Sequence, residues 1–219
     1  MRQRIIEPEV LDSLPDEHAA VNLADIARIN RLTGARRHLL KLLSRRFAQD
    51  ATFRFLDIGA ATGDLALAVQ SAFPNAKIVC LDIQFRNLRG APSSKVQADA
   101  FALPFREKSF DVVHNSLFLH HFETEAVGAL ILEMCRLCRS LVLVQDLHRH
   151  WLAYYFLPCT RPVFGWHPVT VSDGMKSVAA GWRRPEIEGL LKNLKLLDHA
   201  QIDWHFPSFR YFIAISSTN

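Results

Sequence analysis

Two adjacent imidazoles, His120 and His121, stand on a short segment between an apolar run and a helical one. An imidazole titrates near working pH, so either side chain suits removal of a proton from a hydroxyl. Asp146 follows the next apolar run and is placed to orient such a ring. With His148 and His150 it also offers oxygen and nitrogen ligands for a cation near a catechol. Three further acids, Asp57, Asp82 and Asp99, each close a short strand-like segment. After the first comes acid-x-Gly-x-Ala-x-Gly, from Asp57 through Gly59 and Ala61 to Gly63. A dinucleotide-binding turn has Gly-x-Gly-x-x-Gly and sets a pyrophosphate on a helix N-terminus. An acid at this place disfavours pyrophosphate and favours a ligand that carries an ammonium group.

The elements that must hold these groups read as alternating strands and helices. Phe53 to Leu56 is a strand leading into the tight turn, and the Leu/Ala run to Val69 is a helix ended by Phe73 and Pro74. Lys77 to Leu81 is a second strand with Asp82 at its tip, at about the interval expected for a carboxylate that accepts hydrogen bonds from both ribose hydroxyls. Val96 to Ala98 precedes Asp99 and Ala100, and Phe110 to His114 is a fourth strand. From Glu123 the apolar positions Val127, Leu130, Ile131, Met134 and Cys138 recur at helical spacing, which explains Cys135-x-x-Cys138 as helix core. Leu141 to Val144 is a buried fifth strand. Pro185 opens a helix, and the segments Leu194 to Trp204 and Phe209 to Ile215 read as a closing hairpin. Ahead of all this, Asp16 is positioned to cap a helix through Leu32. A second helix from Ala35 to about Phe47 carries an apolar stripe (Leu39, Leu43, Phe47) and a basic one (Arg37, Lys41, Arg45).

The turn from Asp57 to Gly63 resembles motif I of the class I S-adenosylmethionine-dependent methyltransferases, with Ala61 where that family usually has Gly. Asp82 followed by Ile83, Asp99 followed by Ala100, and ALPFREKSFDVVHNS match its later strand ends in order. The resemblance covers about Phe53 to Ile215, firmly through Asp146. It implies an α/β fold: a Rossmann-like, doubly wound, seven-stranded and mostly parallel sheet with an antiparallel last strand. It also implies an N-terminal helical cap over residues 1–50, a catalytic domain over 51–219, and a lid insertion at about 147–184 after strand five. The implied cofactor is S-adenosyl-L-methionine. Asp57, Gly59, Ala61 and Gly63 would lie under its methionine part, Asp82 would hold the ribose, and Ile83, Asp99 and Ala100 would meet the adenine. Asn115 falls beside the cofactor on the loop after strand four. Leu119, His120 and His121 reproduce a Leu-His-His segment of many small-molecule members, so the resemblance places His120, His121 and Asp146 at the catalytic position.

Composition bounds the partners. About half of the 219 residues are apolar and the net charge is only +4, which permits anionic partners without arguing for nucleic acid. No stretch reaches the ~18 apolar residues of a membrane helix, and the start MRQRIIEPEV lacks a secretory h-region, so a cytoplasmic protein with unpaired thiols is expected. No metal site is assigned, and the oligomeric state is not legible. Trp151, Tyr154, Tyr155, Phe156, Phe164 and Trp166 in the insertion offer a flat apolar pocket for a phenol, polyketide or quinone precursor, as in ubiquinone- and menaquinone-type methyltransferases. O-methylation is favoured over C-methylation. The rivals are a nucleic-acid methyltransferase, disfavoured because His114, Asn115, Ser116 and Leu117 contain no proline-aromatic clamp, and a non-catalytic protein that binds the same cofactor.

Overall fold

The computed structural model describes residues 3–10, 16–92, 94–206 and 208–217. Helices α1 (Asp16–Leu32) and α2 (Ala35–Ser44) meet at Gly34, whose φ of +76° makes the joint. The expected cap by the Asp16 side chain lies outside the described residues. Helix α2 buries Leu39, Leu42 and Leu43 and leaves Arg37, Lys41 and Arg45 exposed, so the basic stripe is a solvated face. The helix stops at Ser44, and Phe47 beyond it stacks on Phe53.

Strands β1 (Arg54–Ile58), β2 (Lys77–Asp82), β3 (Ser94–Gln97), β4 (Phe110–Ser116), β5 (Cys138–Leu147), β6 (Ala200–His205) and β7 (Arg210–Ser216) form one sheet in the order β3-β2-β1-β4-β5-β7-β6. The first five are parallel, and β7 runs antiparallel to both its neighbours. Strand order reverses between β1 and β4, where connections leave toward opposite faces and open a crevice at the carboxyl ends.

Both faces of the sheet are covered, which is why its central strands read as unbroken apolar runs. Leu56, Ile58 and Val113 face one core, where α4 (Thr124–Leu137) and α7 (Arg184–Asn193) bring Leu130, Ile131 and Leu191. Phe55, Val112 and Leu143 face the other, against α2 and α3 (Asp64–Ala72). The insertion folds as two helices, α5 (Trp151–Phe164) and α6 (Pro168–Ala180). Arg28 of α1 donates to the Phe164 carbonyl and lies 4.7 Å over the Trp166 ring, while Asp25 accepts from His167 N and Thr170 Oγ1, so α1 is tied to this helical pair.

Two further boundaries and the placing of the aromatics differ from the sequence reading. Helix α4 ends at Leu137, and Cys138 turns extended (φ −89°, ψ 137°) to start β5, so the two cysteines straddle a helix-strand junction. The strand expected from Leu194 begins only at Ala200, because Lys195 takes a φ of +58° and a 3-10 turn over Leu197–His199 follows. Of the six aromatics expected to line a pocket, only Phe156 does. Trp151 and Tyr155 face solvent, and Trp166 is buried against Arg28 and Phe164.

The glycine turn itself is packed against the segment after β2. Gly63 has a φ of +69°, and a Cβ there would lie 2.8 Å from Ala91 Cβ and 2.9 Å from Pro92 Cδ. Gly63→Val is therefore expected to lower stability by roughly 2–4 kcal/mol, combining left-handed strain with overpacking. Gly90, with open space around it and no positive φ, serves as the control: urea melts should show Gly90→Ala close to wild type.

Candidate active site

The carboxyl ends of the parallel strands open into a cavity of about 620 Å³, a size suited to a small molecule. Asp57, Gly59, Ala61, Asp82 and Ile83 line one part of it, with Asp99 and Ala100 beyond them. His120 and His121 line the other. Gly63, Asn115 and Asp146 stand behind the wall: Gly63 packs on Ala91 and Pro92, and the buried Asn115 donates to Met134 Sδ at 3.3 Å.

Each acid is held by its own surroundings. Asp57 is buried, and His114 Nδ1 donates to its Oδ1 at 2.7 Å. Gln145 Nε2 lies 2.9 Å from His114 Nε2, so the amide donates there and the ring carries its proton on Nδ1. Asp82 accepts from Ala61 N through Oδ2 and from Gln84 N through Oδ1; burial raises its pKa against these bonds. Ala61 adopts a φ of +46°, so the alanine takes the left-handed backbone that glycine would take without strain. Gly59, at φ +67°, allows the Phe118 ring to lie against the turn: a Cβ there would fall 2.6 Å from Phe118 Cδ2. Asp99 is exposed, its Oδ1 accepting from Phe101 N, and exposed Ile83 and Phe101 leave an apolar slot at this end.

At the other end His120 is clamped. Its Nδ1 lies 2.6 Å from Asp146 Oδ1, and its Nε2 lies 3.6 Å from Glu9 Oε1. Asp146 Oδ2 also accepts from the backbone of Phe118 and His120, which fixes the loop on the end of β5. Burial favours the neutral ring, yet Asp146 and then Glu9 outweigh it and push the His120 pKa up to about 10. Glu9, against its own burial, is drawn down to about 2 by His120 and His121. His121 is driven the opposite way, down to about 4, first by burial and then by the His120 cation, whose ring centroid is 4.2 Å away. The adjacent imidazoles thus carry different charges at neutral pH. Glu9, His120 and His121 offer three atoms within 4.8 Å of one another, a spacing that would admit a cation. Within the group Ser177 donates to Glu9, and Glu9 Oε1 stands 3.6 Å from His120 Nε2. The other cluster considered does not converge: Asp146 turns to His120, while the His148 and His150 rings pack on Trp204 and Phe209.

Residues 55–140 match the family described as a methyltransferase domain. Over this stretch, about two-fifths of the chain, the protein is similar to a methyltransferase domain. Over 87 residues it is 37% identical to a malonyl-[acyl-carrier protein] O-methyltransferase of Geobacter sulfurreducens, covering 36% of this chain and 33% of that protein. Over 93 residues it is 35% identical to a demethylmenaquinone methyltransferase of Thermus thermophilus, covering 37% and 42%. The chain thus matches only a third to two-fifths of the length of these curated relatives. Among solved structures, a SAM-dependent methyltransferase from Aquifex aeolicus superposes with a TM-score of 0.63 at 10% identity, covering 94% of this chain and all of that one. Magnesium protoporphyrin IX methyltransferase from Synechocystis superposes at 0.57 and 14% identity, covering 85% and 83%. At such identities the likeness is one of fold.

The cavity also gathers residues that the sequence did not announce. Glu9 arrives on an N-terminal strap: Arg4 donates to the carbonyls of Ala180 and Phe122, Ile5 N to Ala179 O, and Val10 N to Asp173. Arg210, at the start of β7, is fully buried at the cavity wall. Its Nη2 donates to Asn30 Oδ1 at 2.9 Å, and among the described residues Nε and Nη1 find no hydrogen-bond partner. Burial lowers its pKa to about 10, which leaves it charged. Asn30 also reaches the Asp64 carboxylate. Glu9 has no signature around it in the chain, and Arg210 none beyond its place at a strand start.

The clamp on His120 should register in stability. The ring holds its proton more tightly when folded, so its contribution is complete below the ordinary value of 6.5 and is lost as pH rises through about 10. Asp146→Asn is expected to flatten the decline in urea-measured stability between those limits. Parallel wild-type and variant profiles would show that Asp146 does not hold that proton.

Proposed function

We propose that the protein is an S-adenosyl-L-methionine-dependent methyltransferase that acts on a small, lipophilic, hydroxyl-bearing acceptor. The observation that carries the reading is that one cavity holds strand-tip acids at one end and, at the other, a neutral His121 beside a protonated His120.

The residues present fit the cofactor. Gly59 leaves room for the Phe118 ring, and ring and turn together line the cavity where the cofactor would lie. Asp57 suits an ammonium group, and Asp82, despite two backbone donors, has lone pairs left for ribose hydroxyls. The slot of Ile83, Ala100 and Phe101 suits a flat base. Arg210 offers unpartnered donors to a carboxylate, the pairing that best compensates a buried guanidinium. The chemistry supplied by bound S-adenosyl-L-methionine is an electrophilic methyl group on a sulfonium.

The chain's own work is alignment and proton removal. His121 has a free base form at neutral pH and faces the cavity, so it takes the acceptor's proton. His120, held cationic between Asp146 and Glu9, stays beside the developing oxyanion and stabilises it. This division assigns the base to His121 and makes His120 an electrostatic partner. The likeness to an O-methyltransferase and a demethylmenaquinone methyltransferase supports a small-molecule acceptor. The likeness to the O-methyltransferase supports transfer to oxygen over carbon, and a base beside the acceptor serves that transfer by removing the hydroxyl proton.

The test uses S-adenosylhomocysteine calorimetry with turnover of a panel of phenols and hydroxyquinones. His121→Ala is expected to lower kcat about a hundredfold or more, the scale of a lost general base. Affinity for S-adenosylhomocysteine should stay within about twofold, since His121 lies at the acceptor end. His120→Ala should slow turnover at least about tenfold on the same grounds. Wild-type kinetics in the His121 variant would remove the proton-transfer role, and a product methylated on ring carbon would overturn transfer to oxygen.

A further inference from the structure

Helix α5 is apolar on a side that none of the described residues covers. Trp151, Tyr155, Cys159 and Val163 fall at successive i, i+4 positions and form an outward stripe in which Trp151 is 62%, Tyr155 53% and Val163 80% exposed. Leu152 and Phe156 widen it. Inward, only Leu157 is buried, its Cδ1 seated where a Cβ on Gly174 of α6 would be. The patch continues off the helix: His150 stacks on Trp151 and on Phe209, and Phe209 meets Phe206, which is 78% exposed. A soluble surface seldom gathers large apolar side chains in this way without a partner.

We propose that α5, with Phe206 and Phe209 beside it, docks the protein on an anionic lipid surface, and that the acceptor enters the cavity from that surface. Three observations select a bilayer interface as the occupant. The protruding residues are Trp, Tyr, Phe, Leu and Val, the set that settles at headgroup depth. Charge is complementary: α5 contains no acid, its one charged residue is Arg161, and Arg183 and Arg184 share a surface depression with His150 and Trp151 at its start. The patch is also the rim of the cavity, because Phe156 and Phe209 belong to both. A molecule dissolved in the outer acyl layer therefore meets the cavity without crossing water. Among the described residues no helix is long and apolar enough to cross a membrane, so the contact is peripheral. The inference rests on the proposed function only for the identity of what enters.

The experiment is vesicle co-sedimentation of the full chain with phosphatidylcholine alone and with about one-quarter phosphatidylglycerol, followed by tryptophan emission. Wild type is expected to pellet with the anionic vesicles, with a blue shift lost in Trp151→Ser. The double variant Trp151→Ser, Val163→Asp should partition about tenfold more weakly or less, because both residues project into solvent and supply the inserted surface. Calorimetry with S-adenosylhomocysteine on the same preparations reads the cofactor site independently. Vesicle binding without it would overturn the methyltransferase reading and leave the docking face standing. Wild type left in the supernatant, equal partition of the double variant, a dimer in sedimentation equilibrium that the variant dissociates, or capture of an acidic carrier protein in place of vesicles would each overturn the proposal.

Discussion

A cationic imidazole between two carboxylates sets the character of one end of the cavity. His120 is fully enclosed, and a buried charge without partners would cost several kcal/mol. Asp146 supplies one partner from the end of β5, and Glu9 supplies the other from the N-terminal strap. Because Asp146 also takes the backbone N–H groups of Phe118 and His120, one carboxylate fixes both the loop and the charge state of its ring. The His120 charge in turn presses His121 toward its neutral form. Two like residues side by side thereby acquire unlike roles from their neighbours alone.

The fold delivers this arrangement at the sheet's switch point. Strand tips contribute acids that the sheet can hold rigidly, while the strap, α1 and α6 close over the other end. Arg28, Asp25, Arg4 and Asp173 join those coverings to one another through charged or polar contacts. The covering is thus built of many modest bonds around an apolar cavity, whereas the acids sit on strands buried on both faces.

Much of the strand-borne part was legible because the chain writes it contiguously. Asp57 and Asp82 each follow an apolar run, and the glycine turn announces its own backbone. Periodicity also sorted α2 into a buried and a solvated face. What failed to show depends on distance or on local backbone. Glu9 meets His120 only after the chain has closed on itself, and Arg210 gains meaning from Asn30 across the cavity. The reversal at Lys195 has no glycine to mark it. Asn115 stands at the expected place in the order of residues, but strand alternation turns its side chain into the core toward Met134. The aromatic insertion was misread for a related reason: composition reveals affinity for apolar surroundings, and it does not say whether those lie inside or outside the molecule.

The polar link from Asp57 through His114 to Gln145 runs sideways across β1, β4 and β5. In a sheet of Val, Leu and Ile, one stretch of apolar pairs is nearly interchangeable with the next, and a strand displaced by a residue would still bury carbon against carbon. It would not, however, bring an imidazole opposite Asp57. A misaligned sheet would be left with an enclosed, unanswered carboxylate, so His114 and Gln145, which hold Asp57 in place, also act as a check on how the central strands are threaded together.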